Sequence, residues 1–525
     1  MVACAGFLTL LLAARTFWYL FHSITNVPYS DQWVMLEEIW KRRTGLVGWS
    51  YLWGPYWGQR MVLPRLLFLF SVKYLHYAML PFILINVTAQ AAMVGVLLWA
   101  AWQLFRDSRI IFWLCAVVIA HLLLSSLQME VLVEGIEVQY TIGYAAAVAA
   151  ICVRRSWMAI LLAAVSTLCL AVGPLVWPIL AVQAWIAGRK RYAGALAVAT
   201  VAIAVAYSIG YTRPSIGMGF AGMLRQPWQA FQIAGLVLGG PISLYSRPLG
   251  MAAGCIGMVL AVPILGYCRR RPAALRLALV ACFMWGSAAA IAFGRLSPEW
   301  LTKYSGQPLP SRYLAPTFVF WAALFTAGLA CWSAGRVARL AAVGVSAAVL
   351  ILTFGTWNWQ WRMPREWATV SQGFDAIASG FFLPVSDQEY MSRIFPEEEL
   401  RTRLVGYMRS ERLSVFAERR VEWLGKDVAT IVPAHSSSVC EVTIRESRPL
   451  EGSPAVYRMV GSLTVDGHAP SERLDVLMTD ERGIVIGLAR TLPAQSQGGA
   501  TDFFGYSRGR PARLALLNGA TAVIH

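Results

Sequence analysis

The feature that most constrains this chain is a succession of apolar runs, separated by short basic clusters. Crossing the hydrocarbon core of a bilayer takes about 17–25 residues of helix. Spans are read near 3–22, 79–104, 110–126, 138–153, 157–171, 173–187, 192–211, 250–267, 275–293, 314–334 and 339–356. Between them lie Arg106/Arg109, Arg154/Arg155, Arg189/Lys190/Arg191, Arg269/Arg270/Arg271 and Arg336/Arg339. Runs 157–171 and 173–187 are short and meet at Gly173-Pro174; one long helix there would put Arg154 and Arg189 on opposite faces, so a hairpin is expected. With eleven spans, all five basic clusters fall on one side, which the positive-inside rule makes cytoplasmic. The expected product is an α-helical polytopic protein of the cell (inner) membrane. Its N-terminus is cytoplasmic and everything after residue 357 is periplasmic or extracellular.

Composition agrees. The chain is 57% hydrophobic and 14% charged, against about 25% charged in soluble domains. Its net charge of +17 invites a nucleic-acid partner, but the basic clusters sit between apolar spans, where membrane topology explains them. No nucleic acid is expected; membrane lipids are. The nine cysteines are scattered without a CxxC and the six histidines show no ligand spacing, which argues against a disulfide framework and a zinc site. Residues 3–22 lack a basic n-region and an A-x-A site, so they read as a retained first helix.

Three domains follow from the pattern: a transmembrane domain at 1–356, a helical segment at 357–427 and a β-rich domain at 428–525. Three outward segments exceed simple turns: 23–78, 212–249 and 295–313. In the first, Trp33, Leu36 and Trp40 recur at helical spacing opposite Glu37, Lys41 and Arg42, which predicts a helix lying in the membrane interface. In the second, "GLVLGGPISLYS" predicts a part-embedded, part-horizontal stretch. In the tail, "FPEEELRTRLVGYM" reads as a helix start with Pro396 in its first turn. The short runs "VATIV", "CEVTI", "YRMVGSLTV", "LDVLMT", "GIVIGLA" and "RLALLN" read as strands, with "TDERG" a hairpin turn. Together they predict a small β-sandwich-like module.

Several stretches, in order along nearly the whole chain, carry a resemblance. They are "DQW" at 31–33, "GQRMVLPRLL" at 58–67, "QMEVLVEGIEVQY" at 128–140, "GPLVWP" at 173–178, "FGR" at 293–295, "SRY" at 311–313 and "IFPEEEL" at 394–400. With these the chain resembles the GT-C superfamily of polyprenyl-phosphate-sugar-dependent glycosyltransferases, and more closely a group of bacterial multi-pass proteins of that architecture. It departs from the group at Gln59, where histidine is common, and at Val131, where asparagine is common.

Sugar transfer from a lipid phosphate requires a base for the acceptor hydroxyl and cations for the leaving phosphate. The resemblance assigns the base to Asp31, in the first outer loop; the competing reading is that Ser30 or Asp31 caps the helix that follows. Glu130 is the second candidate acid. It stands in an outer turn where Gln128, Glu130, Glu134, Glu137 and Gln139 cluster without a Lys or Arg. Such a patch suits sugar hydroxyls or a divalent cation, Mg or Mn, although the sequence establishes no cofactor; the plain alternative is a solvated loop. Arg60, Arg295 and Arg312, with Arg65 and Lys303 in reserve, are expected at the outer face as phosphate ligands, and Tyr313 beside Arg312 as a hydrogen-bonding partner. Snorkelling to bulk lipid explains any one of these arginines. Gln59, Gln128, Glu137 and Gln139 are the expected substrate contacts. Trp49, Tyr51, Trp53, Tyr56 and Trp57 read as an interfacial aromatic belt.

The expected activity is therefore transfer of a sugar from a polyprenyl-phosphate carrier to an extracytoplasmic glycan, lipid or protein. A polymerase or ligase using a lipid-diphosphate-linked glycan is the nearest alternative. A lipid-sugar flippase is a further one, disfavoured because no internal repeat is seen and the candidate charges gather at one face.

Overall fold

The computed structural model describes the chain except residues 1, 57, 212–217, 296–308, 433–439, 451–452, 494–498, 518–520 and 524–525. Lys303 and Trp57 lie outside the described residues. Two compact units emerge, and they do not follow the linear order. The first holds Met1–Trp18, Trp49–Leu66 and Phe82–Pro364; the second holds Tyr19–Gly48, Leu67–Pro81 and Arg365–His525. Two pieces of the expected first outer loop thus fold with the tail.

In the first unit, every expected span falls on a helix. Among the described residues nine helices are long and apolar enough to cross a membrane, and two shorter apolar ones, Ser156–Cys169 and Gly173–Ile186, form the expected hairpin. Burial differs sharply among helices of similar composition. Ser311–Ala330 is 94% buried, and Lys190–Ser208 only 11%. The first is apolar all round because protein surrounds it. The second presents Val198, Val201 and Val205 outward, as a helix does when its solvent is lipid rather than water.

Close approach of backbones sets the middle of this unit. Helices Pro227–Leu238 and Arg247–Cys268 cross at glycines: a Cβ on Gly254 would overlap the Gly235 carbonyl, and one on Gly239 the Gly250 carbonyl. Small residues allow such contact where apolar burial gives no drive for helices to associate. The free carbonyls at the end of Pro227–Leu238 are met by side chains of the central helix: Thr317 Oγ1 donates to Val237 O (2.6 Å) and Trp321 Nε1 to Leu238 O (2.8 Å). This accounts for "GLVLGGPISLYS" as an embedded element, with Ile233–Leu238 buried.

One helix break matters for the site. Helix Arg109–Leu123 ends, and a short helical stretch, Met129–Val133, follows a 3-10 turn at Ser126–Gln128. Breaking a helix inside apolar surroundings exposes carbonyls that need partners. Gln90 and Gln128 supply them, both donating to Leu123 O, Gln128 across 2.9 Å. Asn86 donates to Glu134 O (3.1 Å) and accepts from Thr141 Oγ1 (2.8 Å). The segment 124–137 is therefore a built, buried turn, which sets aside the alternative of a solvated loop.

In the second unit, helix Asp31–Arg43 carries the predicted aromatic stripe, but protein covers it. Trp33 is fully buried, stacks on Phe395 at 5.6 Å and meets Phe381 edge-on at 5.9 Å. The spacing that predicts an interfacial helix is equally that of a core-facing one. Helix Glu398–Ser410 begins two residues after Pro396, which stands ahead of the first turn rather than within it. Asp375, fully buried, joins Arg420 (2.7 Å), Arg473 (3.2 Å) and Arg490.

Among the described residues the tail forms one seven-stranded antiparallel sheet, not two stacked sheets. Strands β1 Cys440–Leu450, β2 Ser453–Val465, β3 Asp475–Thr479, β4 Val485–Thr491, β5 Thr501–Arg508, β6 Arg513–Leu516 and β7 Thr521–Val523 run in the order β1-β2-β5-β4-β3-β6-β7. The sheet curls until β1 nears β7. One inner face, with Met459, Leu463, Val476, Met478 and Phe503, encloses one core, so a second sheet is not needed to bury it. The "TDERG" hairpin joins β3 to β4, closed by Asp480 Oδ1 accepting from Arg482 N and Ile484 N at 2.9 Å. "VATIV" is not a strand: Asp427 caps a 3-10 turn at Val428–Thr430. Strand β5, which alternation does not reveal because "DFFGY" is buried on both faces, is a central strand.

Candidate functional site

Within the first unit, several of the predicted site residues gather. Glu130, 8% exposed, sits in the first turn of Met129–Val133, and the turn "SRY" docks against it. Its Oε2 accepts from Ser311 Oγ (2.7 Å) and from the backbone N–H of Arg312 (3.3 Å), and its Oε1 accepts from Arg312 Nη1 (2.9 Å). A carboxylate holding three donors, one of them charged, anchors its arginine firmly. Both Glu130 oxygens are thus occupied by donors, and the carboxylate fixes the direction of the Arg312 side chain. The Arg312 side chain is about one-third exposed (32%) and lies 5.6 Å over the Tyr313 ring.

Beside this pair opens a cavity of about 230 Å³, lined by Gln59, Arg295 and Tyr313 together with Tyr140, Tyr144, Tyr207 and Tyr211. Gln59 reaches it from a tight turn: Tyr56 and Gln59 exchange two backbone hydrogen bonds (2.8 and 2.9 Å), and Gly58 takes a φ of 79° that favours glycine. Arg295 follows the last turn of helix Pro272–Gly294. The rest of the wall is apolar, with Leu170, Val172, Ile291 and Phe293 among it. An apolar chamber with a few converging polar groups is the ordinary form of a small-ligand site. The four tyrosines were not expected. Part of their signal is the i, i+4 pairing of Tyr140 with Tyr144, which puts two rings on one face of helix Val138–Cys152; Tyr207 stands in the last turn of helix Lys190–Ser208 and Tyr211 just beyond it.

Other predicted residues do different work. Arg60 and Arg65 are 2% and 3% exposed and hold backbone carbonyls. Arg60 donates to Trp53 O, Tyr207 O and Ile209 O, closing the end of helix Lys190–Ser208 where carbonyls lack partners. Arg65 donates to Tyr51 O and Gly54 O, each at 2.6 Å, and to Leu52 O at 3.3 Å. Both are pins for the loop 51–54 rather than phosphate ligands. Gln128 is engaged with the helix break already described.

Glu130, Glu134 and Glu137 are all buried, with one carboxylate oxygen of each within 4.8 Å of the others. Their donor type fits a hard divalent cation such as Mg or Mn, although both oxygens of Glu130 already answer to Ser311 and Arg312. Gln139 is buried beside them, and its Oε1 has no hydrogen-bond partner among the described residues.

Asp31 belongs to the second unit. It is the first residue of its helix, half-buried, and its carboxylate makes no hydrogen bond or ion pair among the described residues. The Ser30 side chain makes no capping bond either; Gln32 Oε1 accepts from Tyr29 N (2.8 Å) instead. Capping therefore does not explain the acid.

The chain matches no family model, no curated protein and no solved structure. What the fold itself defines is a polytopic helical protein with a β-sheet tail.

Proposed function

We propose that the protein is a membrane glycosyltransferase of GT-C type that moves a sugar from a polyprenyl-phosphate carrier to an acceptor hydroxyl outside the cytoplasm. The observation that carries the reading is the apolar, tyrosine-lined cavity bordered by Arg295 and Tyr313, next to an arginine anchored on Glu130. Its chemistry suits a lipid phosphate. The apolar wall takes the first part of the isoprenoid, Arg295 and Arg312 meet the phosphate charge, and tyrosine hydroxyls and Gln59 meet the sugar.

In the reaction the acceptor oxygen attacks the anomeric carbon. The bond from that carbon to the phosphate oxygen breaks, and its electron pair leaves with the polyprenyl phosphate. The hydroxyl proton passes to a carboxylate, the part for which the resemblance to GT-C enzymes nominates Asp31. Arginines that meet the charge growing on the leaving phosphate stabilise the transition state more than the ground state.

The test is deletion of the gene in its own host, with surface glycans and lipid-linked sugars compared by mass spectrometry. Loss of a sugar from the glycans with accumulation of a single-sugar polyprenyl phosphate is expected. Accumulation of lipid-diphosphate-linked repeat units instead would favour a polymerase or ligase. No change in either pool, in cells that express the gene, overturns the reading.

A further inference from the structure

In the first unit, three arginines from three different segments line one small polar recess of about 40 Å³: Arg154, Arg189 and Arg276. Arg154 follows helix Val138–Cys152, Arg189 precedes Lys190–Ser208, and Arg276 lies one turn inside Pro272–Gly294. Arg276 feels the charges of both the others. None of the three makes an ion pair with a carboxylate among the described residues. Their hydrogen bonds go to neutral groups: Arg154 Nη2 donates to Gln103 Oε1 (2.8 Å) and Arg189 Nη1 to Ser156 Oγ (3.1 Å). Three like charges drawn together without an acid repel one another, unless an anion sits among them.

The surroundings say which anion. Ser156, in the recess wall, opens helix Ser156–Cys169, so the positive end of that helix adds to the arginines. The same helices turn large apolar side chains outward right next to the charges: Trp157 and Leu161 beyond Ser156, and Val182, Trp185 and Ile186 ahead of Arg189. A site that is cationic at the helix ends and apolar along the adjoining helix faces is complementary to an amphiphile with a charged head. We propose that this recess is a binding site for the phosphate of an anionic phospholipid, whose acyl chains lie along helices Ser156–Cys169 and Val176–Ile186. Basic pockets between membrane helices recognise lipid headgroups in this way. The recess itself takes phosphate oxygens, not a whole headgroup, and guanidinium forks are the donors that match them. The site is separate from the tyrosine-lined cavity and needs no transferase activity to be occupied.

The experiment uses the full chain in nanodiscs of phosphatidylcholine alone, or with one-fifth phosphatidylglycerol or cardiolipin. Native mass spectrometry counts retained lipids, and thermal melting reads the stabilisation. Retention of at least one anionic lipid is expected, with a melting temperature raised over phosphatidylcholine alone. In the Arg154→Gln/Arg189→Gln variant that retention should fall at least tenfold, while Arg336→Gln, in another basic cluster, should retain it. Equal loss in both variants would mean a diffuse positive surface and overturns a built site. Equal stabilisation by inorganic phosphate in phosphatidylcholine assigns the recess to a free anion and overturns the lipid. A fold defect in the double variant is separated by Arg154→Lys/Arg189→Lys. That variant keeps the charge, and it should recover folding and part of the retention.

Discussion

The Arg312 guanidinium is bonded to Glu130 across 2.9 Å, while Ser311 Oγ and the Arg312 backbone N–H both donate to the other oxygen of the same carboxylate. Two residues that sequence reasoning cast separately, one as acid and one as phosphate ligand, are thus one device. The anionic member sets the direction of the cationic one. Arg312→Gln is expected to lower transfer by about 10²-fold or more, as loss of a preorganised charge at a developing anion does. It also leaves Glu130 buried without its cation, a change of about 3 kcal/mol visible as a lower melting temperature. Glu130→Gln should act mainly by raising the KM for the lipid donor, because it frees Arg312. A fall in kcat with unchanged KM would return Glu130 to the role of base.

Arg60 and Arg65 predict the opposite division. Each is buried and gives its donors to backbone carbonyls. Hydrogen bonds from a charged donor contribute about 1.5–3 kcal/mol each, and the carbonyls left behind are buried. Lysine carries the charge but not the fork. Arg60→Lys and Arg65→Lys are expected to destabilise by about 2–4 kcal/mol, followed by thermal melting in detergent, while folded protein keeps its donor KM. A raised KM at unchanged stability would make them phosphate ligands after all.

Much of the fold is legible in the sequence because a membrane span is a long, repetitive signal. All eleven spans land on helices, down to the hairpin at Gly173-Pro174. What local pattern does not carry is which side of an apolar face meets protein. Trp33 on Asp31–Arg43 and Val198 on Lys190–Ser208 both read as facing the membrane, yet one packs on Phe381 and Phe395 and the other faces outward. The site shows the same limit. Glu130, Arg312, Tyr313, Gln59 and Arg295 are readable as polar groups at helix ends, where apolar spans make them conspicuous. That Arg60 and Arg65 serve carbonyls, and that Gln128 closes a helix break, depends on contacts between segments distant in sequence or on an irregular turn. The strands of the β tail are legible but their arrangement is not, for a related reason: alternation tells which residues face inward, not whether a sheet closes on itself or on a second one.

Arg458 on β2 makes a prediction about acid stability. It is buried, and its guanidinium meets Glu389 (2.8 Å), Glu446 (2.7 Å) and Asp387 (3.2 Å), whose other donor is Tyr506. The hydrogen bond from Arg458 holds the Glu389 carboxyl below its usual value of 4.5. A depressed carboxylate binds fewer protons folded than unfolded, so it adds stability above its unfolded pKa, and that contribution fades as pH falls through the folded pKa. Glu389→Gln is therefore expected to lower the melting temperature at pH 7 and to converge with the unaltered protein as the pH drops below about 4. A constant difference across that range would mean that Glu389 acts through packing and not through charge.

Asp31 carries the sharpest prediction, because its two explanations separate cleanly. A capping aspartate would accept from the first turn of its helix, and asparagine caps about as well. Here Asp31 accepts nothing among the described residues, and Gln32 closes the turn through Tyr29 N. Its effect on stability is then limited to the helix dipole, about 0.3–1 kcal/mol, so Asp31→Asn should melt close to the unaltered protein. Asparagine keeps the size and cannot take a proton. If Asp31 is the base, complementing a deletion strain with Asp31→Asn at equal abundance leaves the surface sugar missing, and transfer in isolated membranes falls by about 10²–10⁴-fold. Restoration of the sugar by the variant would remove Asp31 from the chemistry and move the search for the base to Glu134 and Glu137, the two other carboxylates beside Glu130.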